Sequence, residues 1–188
     1  MEQIAELGHE IGYHYEDVDL VSQQFANSGI RKFEINNLID AAYESFCKNL
    51  EMFRKNFDIK TICMHGSPLS KYDNKLLWTK YDYRGLGIIG EPYMDTDFSK
   101  VFYITDTGRA WNKELSSVRD KVKSPFNIHI KNTRHLIHLA ETNQLPAQIM
   151  ITIHPQRWTN NPFKWTEELI LQNVKNVVKK IIARRGEA

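Results

Sequence analysis

Apolar residues along this chain follow two spacings, and the two alternate. Short runs rich in Ile, Val, Tyr and Phe occur at Glu10-Ile11-Gly12-Tyr13-His14, Thr61-Ile62-Cys63-Met64-His65, Val101-Phe102-Tyr103-Ile104-Thr105-Asp106 and Ile149-Met150-Ile151-Thr152-Ile153-His154. Runs this short and this rich in branched and aromatic residues predict buried strands. Between them the apolar positions recur at helical spacing. Ile35, Leu38, Ile39, Ala42, Phe46, Leu50, Phe53 and Phe57 trace one long amphipathic helix. A second helix is predicted over 131–143, joined to the last strand by Leu145-Pro146. Asn161-Pro162 reads as an N-cap with proline at the first helical position, and the helix it starts carries Leu169, Ile170, Val174, Val177, Val178, Ile181 and Ile182 on one face. Arg184 and Arg185 suit the negative end of that helix, and Gly186 stops it.

The remaining segments are polar. Residues 1–8 read as the last turns of a helix ended by Gly8, and 15–32 as an irregular stretch. Residues 67–100 form a long excursion with one short helix near 75–80, and a polar loop runs through 123. Strands alternating with helices predict one α/β domain over residues 1–188, built on parallel strands. Loops after parallel strands gather at one end of a sheet or barrel, where α/β enzymes place their sites. Each of the four predicted strands ends on His or Asp, which points to one pocket.

Composition narrows the class. The chain has 188 residues, 41% hydrophobic and 26% charged, which suits an ordinary globular domain with a full core. A net charge of +2 gives no basic face for nucleic acid. No stretch approaches the roughly 20 apolar residues of a membrane span, and no signal leader opens the chain. Cys47 and Cys63 lie outside any metal-type spacing and read as buried free thiols, which fits a cytoplasmic setting.

The strand ends carry the candidate chemistry. His14 stands beside Tyr13, Tyr15, Glu16 and Asp17, the mixture of nitrogen and oxygen donors that a divalent metal takes; the carboxylates also suit a solvated loop start. His65 opens the turn His65-Gly66-Ser67-Pro68, where Ser67 and free N–H groups suit a hydroxylated or anionic ligand; a histidine capping its own strand is the competing account. Asp106-Thr107-Gly108-Arg109-Ala110-Trp111 places an acid, a guanidinium and an aromatic plane in one loop. Asp106 beside Arg109 is suited to stay ionised and fix a histidine tautomer. His154-Pro155-Gln156-Arg157-Trp158 repeats that composition, and His154 emerges from an apolar wall as a general acid or as a core histidine. Trp111, Trp158 and Tyr15 offer rings for stacking on a sugar, with Arg157 as a polar contact, and a core role for Trp111 stands beside that. His135 and His138 share a helix face without carboxylates and read as surface or packing residues.

With these segments assembled, the chain resembles the polysaccharide deacetylases of carbohydrate esterase family 4, and more closely their deacetylase-like relatives. Leu7-Gly8-His9-Glu10-Ile11-Gly12-Tyr13-His14 is similar to that family's Gly-His-Glu-Ile-Gly-Asn-His segment, whose last His binds metal, and His14 matches it. The run ending in His154 resembles the final motif, whose His is the general acid. Asp106 to Trp111 falls where the family places an Asp and a Trp that orient catalytic groups and line the sugar site. The resemblance implies a distorted (β/α)7-type barrel with one divalent metal, commonly Zn²⁺, that removes acetyl groups from sugars or surface polysaccharide. It assigns the metal to His14; the family's second His falls at Val18, so His65, or a carboxylate such as Glu16 or Asp17, is expected to take its place. Taken with the residue chemistry above, catalysis is expected of His154, Asp106 and Arg109, and substrate contacts of Tyr15, Ser67, Trp111, Arg157 and Trp158.

The family's first strand carries an Asp pair that includes the catalytic base. That strand should precede the opening helix, so the barrel is expected to be incomplete, with its first strand missing and the chain N-terminally truncated. An inactive truncated hydrolase is therefore expected beside the active one. A non-catalytic carbohydrate-binding relative with a degenerate metal site is the alternative, and self-association through exposed strand edges is expected in either case. An unrelated serine hydrolase is disfavoured because no Gly-x-Ser-x-Gly elbow occurs.

Overall fold

The predicted strands form, and they pair in parallel two by two. The computed structural model describes residues 1–30, 32–66, 70–109, 111, 122–155 and 158–186, with side chains of the last helix described to residue 177. The chain divides into two compact units, Met1–Thr96 and Asp97–Ala188. Among the described residues the strands make two separate two-stranded sheets and no closed barrel. The architecture is α/β, with helices and parallel strands in each unit.

In the first unit a short helix α1 (Glu2–Glu6) leads to β1 (Tyr13–Tyr15), which pairs with β2 (Ile62–Met64) in the register Tyr13↔Ile62, His14↔Cys63 and Tyr15↔Met64. Strand alternation turns Tyr13, Tyr15, Ile62 and Met64 into the core and leaves His14 outside. Gly12 lets the strands approach: a Cβ there would stand 2.9 Å from Thr61 Oγ1 and 3.3 Å from its carbonyl oxygen. Helix α3 (Ile35–Arg54) covers the inner face with Leu38, Ile39, Ala42, Phe46 and Leu50, the spacing read from the sequence. Phe46 packs on Tyr13 and Tyr15 with ring centroids 5.2 and 5.6 Å apart.

The stretch over 15–32 is not irregular. It forms helix α2 (Asp17–Asn27), because Val18 and Val21 dock into the core on one side while polar residues cover the rest. Two core aliphatics in eleven residues leave too weak a stripe to read as a helix. The long excursion holds 3-10 helices at Asn74–Thr79 and Tyr83–Leu86, then α4 (Pro92–Asp95). It returns along the free edge of β2, where Ile62 N donates to Gly90 O at 3.1 Å and Met64 N donates to the Glu91 carboxylate at 3.0 Å. Glu91, fully buried, thus continues the strand ladder with its side chain. Cys47 and Cys63 form no disulfide and are half-buried rather than buried.

In the second unit β3 (Phe102–Thr105) pairs with β4 (Ile149–Thr152), from Phe102↔Ile149 to Thr105↔Thr152. Helix α5 (Thr133–Glu141), capped by Asn132 on His135 N, closes a core of Phe102, Ile104, Ile130 and Leu139. His135 is half-buried and His138 exposed. Helix α6 (Pro162–Gly186) starts as expected, with Asn161 Oδ1 accepting from Phe163 N and Lys164 N. Within the described part of its apolar stripe Leu169 is half-buried and the rest is exposed. Ile170, Val174 and Val177 stay more than half exposed, while the side chains of Val178, Ile181, Ile182, Arg184 and Arg185 lie outside the described residues. No helix among the described residues is long and apolar enough to cross a membrane.

Candidate functional site

The histidines expected to bind metal do meet in the first unit. His65 N donates to Tyr15 O at 2.7 Å, extending the β1–β2 ladder by one residue, two positions beyond Cys63, the register partner of His14. His14 Nε2 then lies 3.0 Å from His65 Nδ1, with the rings edge to face. Glu16 Oε2 lies 3.9 Å from the other nitrogen, His65 Nε2, and both side chains are nearly half exposed. Behind them Asn74, buried, donates to His65 O at 2.8 Å and accepts from Asp19 N.

This donor set fits a metal in part. His14 Nε2 and His65 Nδ1 lie at hydrogen-bond distance, so one ring donates its N–H to the other, and both nitrogens would face a cation only after that proton is lost. Glu16 approaches the far side of His65, so its place is that of a carboxylate that orients the ring rather than one that faces the His14–His65 contact. Among the described residues no group of three His, Cys, Asp or Glu side chains gathers around one position. The Glu16 role as a direct ligand is therefore not supported by its placement.

Asp17 belongs to the core instead. It is fully buried and accepts from Tyr13 OH, Ser45 Oγ and Asn49 Nδ2 at 2.6, 2.7 and 2.8 Å. Burial, followed by the Asp17 contact, pushes the Tyr13 phenol far above its ordinary value, so Tyr13 is a permanent donor here. Tyr15 takes a core role too. Its ring is wholly buried, and its oxygen accepts from Trp78 Nε1 at 2.9 Å, leaving no face for a sugar.

In the second unit Asp106 and His154 pair at the carboxyl ends of neighbouring strands. Asp106 follows β3 directly, and its N–H donates to Thr152 O on β4. Its carboxylate accepts from His154 N at 3.2 Å through Oδ2, while Oδ1 pairs with His154 Nδ1. The Asp106 side chain is 12% exposed and that of His154 29%, so a sheltered carboxylate holds a partly accessible imidazole. With Nδ1 engaged, Nε2 is the nitrogen turned to exchange protons with a ligand. Thr105 Oγ1 and Thr107 Oγ1, 2.9 Å apart, brace the turn beside it.

Arg109 stands in a left-handed conformation, φ 60°, at the end of the 3-10 helix Thr107–Arg109. Its guanidinium pairs with Glu168 and lies 4.8 Å from the centre of the Trp165 ring. Neither α6 residue stands out in the sequence, because contacts across 59 residues leave no local pattern. Trp111 packs on the core of this unit with Nε1 donating to Thr133 Oγ1 at 3.2 Å, so the core reading suits it better than sugar stacking. Trp158 is 61% exposed and open to a ligand. Ser67 and Arg157 lie outside the described residues.

Comparison of the chain with protein-family models, with curated proteins and with solved structures gives no match. Fold and geometry define its class as an α/β protein carrying a buried-carboxylate–histidine pair at parallel strand ends.

Proposed function

We propose that the chain is a hydrolase that removes acyl groups, with Asp106–His154 as its proton-transfer pair. The observation that carries this is the Asp106 carboxylate gripping both His154 N and His154 Nδ1. A histidine fixed in this way presents Nε2 in one orientation, ready to take a proton from a nucleophile or give one to a leaving amine or hydroxyl. The substrate class is acetylated sugar or surface polysaccharide, supported by the exposed Trp158 plane four residues beyond His154 and by the resemblance to the deacetylases. A (β/α)7-type barrel belongs to the same reading, which rests for its fold on the α/β class and the parallel strand pairs.

The metal is assigned separately, to the first unit. His14 and His65 would hold a divalent ion, Zn²⁺ in this reading, with Glu16 fixing the His65 ring. An ion bound there supplies Lewis-acid chemistry, polarising an acyl carbonyl or lowering the pKa of a bound water. The chain's own part at that place is to hold two imidazoles 3.0 Å apart, nitrogen to nitrogen.

One observation favours a second reading, a carbohydrate-binding protein without turnover: the Trp158 ring is exposed and offers a stacking plane that needs no metal. Acetate release from N-acetylated oligosaccharides by the Zn²⁺-supplemented chain separates the two. Release that disappears in His154→Ala supports the hydrolase. Sugar-dependent quenching of tryptophan fluorescence with no acetate formed supports the binder and sinks the hydrolase.

A further inference from the structure

The left-handed Arg109 backbone closes the turn that begins at Asp106, and its N–H donates to Asp106 O at 3.0 Å. A non-glycine residue keeps such a conformation only where its surroundings hold it. Here those surroundings are the first turns of α6. The Arg109 side chain, 13% exposed, pairs through Nη1 with Glu168 and reaches toward Trp165 O, while its plane lies over the Trp165 ring. A charge-assisted bond and a cation–π contact act on one guanidinium. The loop after β3 is therefore tied at two points, to α6 through Arg109 and to the end of β4 through Asp106. Both ties load the same short turn, Thr107–Arg109. A carboxylate that must meet His154 N and Nδ1 together tolerates little rotation of that turn, since small displacements break one bond or the other.

We propose that Glu168 and Trp165 are positioning residues that act through Arg109 to set the Asp106 carboxylate, and through it the Nδ1–H tautomer of His154. This rests on the proton-transfer role assigned to the Asp106–His154 pair. The clamp touches no reacting atom. It determines which imidazole nitrogen carries the proton and which faces outward.

The test reads the tautomer directly. Long-range ¹H–¹⁵N spectra of the full chain at neutral pH, with His154 assigned by the signal missing in His154→Gln, show the Nδ1–H pattern for the native protein. Glu168→Ala loses that pattern in favour of the Nε2–H tautomer that free imidazole prefers. Glu168→Gln, which keeps an oxygen to accept from Arg109, restores it. Arg109→Gly is the second variant: glycine takes the left-handed backbone without strain, so the fold survives loss of the guanidinium. The Nδ1–H pattern is lost there too. Should Glu168→Ala and Arg109→Gly both keep the native tautomer while the unfolding midpoint falls, the clamp is only structural and the proposal is overturned. If Glu168→Ala fails to fold, Arg109→Gly decides by itself. A native chain that releases no acetate but whose tautomer still follows these substitutions removes the hydrolase reading and leaves the positioning relation standing.

Discussion

Tyr13 and Asp17 are joined by a 2.6 Å hydrogen bond, phenol to carboxylate, across the turn that takes the chain from β1 into α2. Ser45 and Asn49 of α3 hold the other carboxylate oxygen. A fully buried acid is tolerable only when such donors replace its water. The network ties strand to two helices directly beneath Glu16 and His14.

Tyr13→Phe removes one donor and leaves Asp17 buried with two. The expected loss is about 1–3 kcal/mol in denaturant unfolding, the range for an abandoned buried partner. A change of only a few tenths would show that water replaces the phenol and that the network does not anchor the turn.

Asp106→Asn is expected to lower acetate release roughly 100- to 10,000-fold, as loss of an oriented acid–base group does. His154→Ala should match it, and the double variant should lose little more, because the two act as one unit. Additive losses would mean that the residues serve different steps.

Zinc binding is expected to depend on both His14 and His65. Equilibrium dialysis of the native chain should find metal retained, with His14→Ala or His65→Ala each losing it, and Glu16→Gln weakening it by about 10- to 100-fold as an outer partner does. Glu16→Gln as damaging as the histidine changes would make Glu16 a direct ligand after all.

Glu91 and Asp95 make opposite contributions to acid stability. Burial pushes the Glu91 carboxyl up, although backbone N–H groups of Met64, Tyr93 and Met94 pull it down. A raised folded pKa means that the folded state takes up a proton first, so Glu91 adds stability as pH falls through its folded value toward the ordinary glutamate value. The unfolding midpoint of the native chain should therefore rise relative to Glu91→Gln over that interval, whatever the constant offset between them. For Asp95, burial pushes the carboxyl up, but the Glu91 N–H, the Tyr83 hydroxyl and Arg84 outweigh it and hold the group below its ordinary value. Its contribution is complete above the ordinary aspartate value and is lost as pH falls through the folded one. A gap between native chain and Glu91→Gln that stays flat with pH would contradict the Glu91 assignment.

Gly12→Ala should separate the start of β1 from β2. The new methyl meets both the Thr61 hydroxyl and its carbonyl, and the hydroxyl alone is able to turn aside. About 1–3 kcal/mol of destabilisation is expected, the usual cost of overpacking. Unchanged stability would show that the strand pair spreads freely.

The sequence by itself determined the local elements wherever periodic burial is strong. Phe46 and its neighbours mark α3, four short apolar runs mark the strands, and Asn161-Pro162 marks the start of α6, because each signal is written within a few residues. It located the residues at the strand ends for the same reason. Where the stripe is thin, as at Val18 and Val21 in α2, the pattern was silent and packing made the helix. Partner choice came only with tertiary structure. His14 finds His65 across 51 residues, Asp106 finds His154 across 48, and Arg109 finds Glu168 across 59. Tertiary packing also put Tyr15 in the core and Glu16 behind His65. Sequence spacing sets which way a side chain leaves its own strand, whereas the group it meets depends on how distant segments stack.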